Sequence, residues 1–119
     1  MVHNPAIDPV FRLATLEEWN SAQVNGLVPE REIDTRDGYM HLSTRDQALE
    51  TANIHFKGIN DLLLLEIPVV PIAKFLKYEL APKRGDAFPH LYSSLRVTDV
   101  ERAIRLVETG DGFEFGEPL

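Results

Sequence analysis

Hydrophobic and polar positions along this chain follow two rhythms. Over residues 10–14, Phe11 and Leu13 alternate with Arg12, the two-residue period of a strand. Leu16, Trp19 and Ala22 come next at helical spacing. Thr15 and Glu18 form a capping box ahead of them, and Asn25-Gly26 ends the run, which predicts a helix over 15–25. Residues 27–36 carry three acids and two arginines and are expected to be a solvated connector. Asp37-Gly38 marks a turn. Residues 39–42 alternate again, with Tyr39 and His41 on one face and Met40 and Leu42 on the other. Thr44 with Gln47 is a second capping box, and Ala48, Leu49, Ala52 and Phe56 make the buried stripe of a helix over 44–56. His55 stands in its last turn, where a cation suits the helix dipole, and Gly58 closes the turn.

The second half of the chain is strand-rich. Four consecutive leucines in residues 61–67 predict a strand buried on both faces. Residues 71–74 suit a short turn. Residues 75–80 alternate, with Lys77 and Glu79 opposite Leu76 and Tyr78. A polar loop over 81–87 leads to Phe88-Pro89, where proline forces an extended backbone, so His90 and Tyr92 share a face. Thr98 is expected to cap a brief turn through residue 102. A final strand spans 103–107, and residues 109–119 form an acidic, glycine-containing tail in which Phe113 and Phe115 suit a sheet edge. About five strands and two main helices, without regular βαβ alternation, predict an α+β fold.

Length and charge narrow the partners. The 119 residues suit a single domain with its core at about 10–107, behind a loose, proline-containing lead-in at 1–9 that includes His3. A net charge of −7 disfavours bulk nucleic acid and anionic membrane surfaces. There is no cysteine, which removes disulfides, thiolate metal sites and cysteine nucleophiles. No stretch has the pattern of a signal peptide or the length of a membrane span, so a cytoplasmic location is expected.

The chemistry concentrates at residues 37–47. His41 ends a strand, Ser43 and Thr44 bring hydroxyls, and the following helix N-terminus offers unpaired amides to an anion. His41 can equally be a strand histidine satisfied by its neighbours, and Ser43 a second capping option. A metal site of His41, His90 and Glu79 lacks local ligand spacing, and no metal is expected. No nucleophile-elbow sequence supports a Ser-His-Asp hydrolase.

Four segments occur in one order at compact spacing: Asp37-Gly38-Tyr39-Met40-His41-Leu42-Ser43-Thr44, the leucine strand, Lys77-Tyr78-Glu79, and Phe88-Pro89-His90-Leu91-Tyr92. Together, over roughly residues 10–107, they resemble a family of small bacterial and plant proteins known as domain of unknown function 952. Its fold is similar to that of the ADP-ribosyltransferases, a split pair of β-sheets with two main helices around a cleft for NAD. The His-Leu-Ser junction is similar to one in the RNA 2′-phosphotransferases of that fold.

This resemblance implies a ligand-binding set of Arg12, Ser43, Thr44 and Tyr92, with Arg12 on phosphate or ribose. It implies His41, Glu79 and His90 as the catalytic set, with Glu66 competing with Glu79 for the carboxylate role. The implied activity is that of a transferase-like enzyme, or a degenerate one, on a small nucleotide-like ligand, with NAD as substrate rather than resident cofactor. The other class consistent with the same residues is a non-catalytic binding module.

Overall fold

A computed structural model of the chain describes residues 8–119. The expected lead-in, with His3, lies almost wholly outside the described residues. In chain order the elements are β1 (Val10–Thr15), α1 (Leu16–Asn25), α2 (Glu32–Asp37), β2 (Met40–His41), α3 (Arg45–His55) and β3 (Leu62–Ile67). A 3-10 turn at Val70–Phe75 leads into β4 (Leu76–Ala81) and β5 (Asp86–Leu91). A second 3-10 turn at Val97–Asp99 precedes β6 (Arg102–Thr109) and β7 (Gly112–Pro118). The fold is α+β, with the strands divided between two antiparallel sheets.

The leucine strand organises the larger sheet. All six residues of β3 are buried, because apolar side chains on both faces require cover on both faces. It lies between β1 and β6, and β7 completes the order β1-β3-β6-β7. On one face Phe11, Leu13, Leu62, Leu64, Ile104 and Phe113 pack on Ala48 and Ala52 of α3. On the other, Val10, Ala14, Leu63, Leu65 and Ile67 share a core with Trp19 of α1 and with Met40, Leu42 and Leu91 of the second sheet region. Burying each such leucine contributes about 1.5–3 kcal/mol. The second sheet, in order β2-β5-β4, therefore lies over the first, and its opposite face is free of this core.

The local signals for the two main helices operate as expected. The Glu18 N–H donates to Thr15 Oγ1 at 3.1 Å, and the Thr15 N–H donates to Glu18 Oε1 at 2.9 Å. Gly26 takes a left-handed conformation (φ +83°), which ends α1. Thr44 and Gln47 make the same reciprocal pair at the start of α3.

Three expectations are corrected. The connector is not wholly solvated: it contains α2, and Asp34 within it is fully buried. The tail is a strand rather than an appendage: it forms β7 along β6, which puts Phe113 and Phe115 at the sheet edge expected for them, with Phe113 buried. The turn before β6 is capped by Asp99, whose carboxylate accepts from the Arg96 N–H at 3.0 Å, rather than by Thr98. Among the described residues no helix is long and apolar enough to cross a membrane.

Candidate functional site

The exposed face of the three-stranded sheet is set by register. His41 of β2 pairs directly with His90 of β5, and His90 pairs with Lys77 of β4. Side chains alternate across a strand, so Glu79 shares the face with Lys77. Tyr39 enters just before β2, and Tyr92 follows β5, anchored by its N–H on the Phe75 carbonyl at 2.8 Å. Met40, Leu91 and Leu76 point the other way into the core. The polar face and the apolar face are therefore one alternating pattern read on its two sides.

The side chains meet closely. The His41 and His90 ring centroids are 5.8 Å apart. Tyr39 stacks on His90 at 3.9 Å, and lies 4.6 Å from His41 and 5.3 Å from Tyr92. One oxygen of Glu79 accepts from His90 Nδ1 at 2.9 Å and from the Tyr92 hydroxyl at 2.5 Å. Lys77 holds its ammonium 5.1 Å from the centre of the Tyr92 ring. The Tyr92 and His90 hydrogen bonds hold the Glu79 carboxyl below its ordinary value. The same bond to Glu79, joined by desolvation and the negative charge, pushes the Tyr92 hydroxyl up to about 12.

Behind this face lies a second carboxylate with a different setting. Asp34 is fully buried and accepts from both terminal nitrogens of Arg12 (3.0 and 2.7 Å). It also accepts from the backbone N–H groups of Arg31 (2.7 Å) and His41 (3.0 Å), and from His41 Nδ1 (2.8 Å). Burial alone pushes the Asp34 carboxyl up. The hydrogen bonds from His41 and Arg12, and the charge of Arg12, outweigh it and hold the group well below the usual carboxylate range. The other nitrogen of His41 faces Asp37 at 3.0 Å.

The fold brings His41, Glu79, His90 and Tyr92 together and gives Arg12, Ser43 and Thr44 other contacts. Arg12 points between the two sheets, 1% exposed, with its guanidinium on Asp34 and on the carbonyls of His41 and Pro29. Ser43 exchanges both backbone hydrogen bonds with Phe11 and is buried. Thr44 is buried as the cap of α3. The Gln47 amide extends from that cap to Asp86 and to the Ala87 carbonyl. Glu66 pairs with Arg102 at 2.8 Å on the face that α3 covers, so of Glu66 and Glu79 it is Glu79 that lies beside a histidine. Among the described residues no group of three or more His, Asp or Glu side chains is arranged to hold a metal ion.

Sequence reasoning omits Tyr39, Asp34 and Asp37 from the site. The signal for Tyr39 was present, since it shares the face of His41 by alternation. Nothing in the sequence separates Asp34 from the other acids of its segment.

The sequence pattern of one known family matches residues 13–103. The chain belongs to DUF952, a family of proteins of unknown function. No curated protein matches it. Among solved structures, the DUF952 chain is similar to the crystal structure of protein CC0527 from Caulobacter crescentus, with 34% identity, 93% of each chain covered and a TM-score of 0.80. It is similar also to the solution NMR structure of the same protein, with 35% identity, 88% and 90% coverage and a TM-score of 0.77. The likeness runs over nearly the whole of both chains, so the site face described above lies within the shared fold. DUF952 as a family carries no assigned activity.

Proposed function

We propose that the outer face of the three-stranded sheet binds a small nucleotide-like ligand, with NAD the first candidate, and acts on it as an ADP-ribosyltransferase-like enzyme. One observation carries this reading: two histidine rings 5.8 Å apart, each hydrogen-bonded to its own carboxylate, beside Tyr39 and Tyr92. In such a reaction the bond between ribose and nicotinamide breaks, and its electron pair leaves with the nicotinamide nitrogen. Positive charge develops on the ribose, where the ionised Glu79 would stabilise it. An acceptor hydroxyl or amine then bonds to the ribose carbon, and its proton passes to His90. Histidine suits that step near neutral pH.

A second reading, binding without turnover, is favoured by the engagement of Glu79. Both Tyr92 and His90 already donate to one of its oxygens. Incubation with NAD, with released nicotinamide followed by chromatography beside a thermal-shift titration, separates the two. The enzyme reading expects nicotinamide release that falls in Glu79→Gln and His90→Gln. A ligand-dependent rise in melting temperature without release selects the binding module. No release and no shift at millimolar NAD would remove nucleotides from consideration.

A further inference from the structure

The sequence points to two groups that would receive a ligand's phosphate, Arg12 and the N-terminus of α3. Both are engaged elsewhere in the fold. Arg12 is buried on Asp34. The first turn of α3 is closed by Thr44 and Gln47, each 8% exposed. A third cationic cradle lies at the edge of the site face, and an acidic side chain of the protein itself fills it. Asp37 places Oδ2 3.0 Å from His41 Nε2, and its Oδ1 accepts from Arg36 Nε at 2.9 Å. We infer that Asp37 occupies the place of a ligand's phosphoryl group, and that His41 Nε2 with the Arg36 guanidinium is the receptor that group takes when Asp37 leaves.

Several features make Asp37 displaceable. It is the last residue of α2, and Gly38 follows it in a left-handed conformation (φ +85°), so its backbone leaves the helix at that point. Its side chain is 26% exposed and that of Arg36 is 69% exposed, whereas Asp34, on the other nitrogen of the same ring, is at 0%. Both His41 nitrogens face carboxylate oxygens, which only accept, so the ring that satisfies them carries an N–H on each. Asp34, preorganised by Arg12, keeps the Nδ1 proton, so the Asp37 contact is the one that yields, leaving the Nε2–H for the incoming anion. A phosphoryl oxygen offers the acceptor chemistry of a carboxylate oxygen and can engage Arg36 by two parallel bonds. It would arrive beside Tyr39 and His90, on the ligand face rather than behind it. This names the anion contact of the site proposed above and rests on that reading for the identity of the ligand.

The test uses the full chain with its histidine ring nitrogens labelled. Inorganic phosphate is titrated into wild type, Asp37→Ala and Asp37→Asn, with binding measured by calorimetry in every variant and the His41 signals followed by NMR wherever His41 is present. Removing the internal competitor should tighten phosphate binding on the order of 10-fold, the size of one charge-assisted hydrogen bond. Adding His41→Gln or Arg36→Gln to Asp37→Ala should abolish that gain. The inference is overturned if neither Asp37 variant binds phosphate more tightly than wild type, or if the gain survives loss of His41. Parallel titrations use ADP-ribose and nicotinamide riboside, which has no phosphate. The same gain for ADP-ribose and none for the riboside supports the receptor as the phosphate end of a nucleotide site. A gain with inorganic phosphate alone keeps the receptor and removes the nucleotide reading. Nicotinamide release from NAD without any gain keeps that reading and removes the receptor.

Discussion

The two histidines of the site are alike in chemistry and opposite in anchoring. His41 leans on Asp34, a carboxylate at 0% exposure held by five donor atoms, two of which are the Arg12 fork from the neighbouring sheet. His90 is itself the buried partner, at 7%, and leans on Glu79, which is 41% exposed on an edge strand. In the first pair the carboxylate belongs to the frame and the histidine to the surface. In the second the order is reversed. A carboxylate without access to water keeps its charge only if its partners replace hydration, so its loss disturbs the fold. A carboxylate at the surface can exchange its partners for water, so its loss disturbs the site alone.

This contrast is most directly broken at Arg12. Replacing it by Ala leaves Asp34 as a buried charge without its counterion, and should lower stability by about 3–5 kcal/mol. Urea unfolding followed by circular dichroism measures this. A variant as stable as wild type would mean that Asp34 is solvated, and the distinction between the two pairs would fail. Arg12 should thus register as a stability residue, against the expectation that it serves the ligand.

Asp34→Asn sharpens the same comparison through pH. The folded-state pKa of Asp34 is depressed, so its stabilisation is fully present above the ordinary carboxylate value of 3.8 and is lost as pH falls towards the folded value. Wild type should therefore lose stability on acidification below about pH 4. The Asn variant should be less stable at neutral pH and show a shallower acid slope. Unfolding midpoints measured across the acid range give both slopes, and parallel curves would contradict the assignment.

The smallest effect is expected at the surface pair. Glu79→Gln should leave the unfolding midpoint near that of wild type while changing the titration of Tyr92. The hydrogen bond to Glu79 pushes the Tyr92 hydroxyl up to about 12 from an ordinary 10.0. The raised pKa means that this contact stabilises fully below pH 10.0 and is lost as pH rises through about 12. Ultraviolet difference titration should show one tyrosine moving back towards the ordinary value in the variant. An unchanged titration would mean that the Tyr92–Glu79 hydrogen bond does not form in solution.

Much of the frame was legible because its causes are local. Thr15 with Glu18 and Thr44 with Gln47 place both main helices, and the leucine run places the central strand. The pairing of His41 with His90 was legible only as a shared polarity, since alternation shows which side each residue faces within its own strand and nothing about which strands become neighbours. Tyr39 could have been read from the same alternation. The short helix α2 could not, because its six residues are exposed except Asp34, which is charged, and its place depends on Arg12, 22 residues earlier.

What the sequence determined by itself was each element and the polarity of its faces, since caps, turns and alternation act over a few bonds. Tertiary structure decided the employment of the charges. Arg12 looks the same on paper whether it meets a phosphate or Asp34, and Asp37 whether it meets water or His41. The outcome depends on register between strands remote in the chain and on the water left around each group, and neither quantity exists until the two sheets have packed.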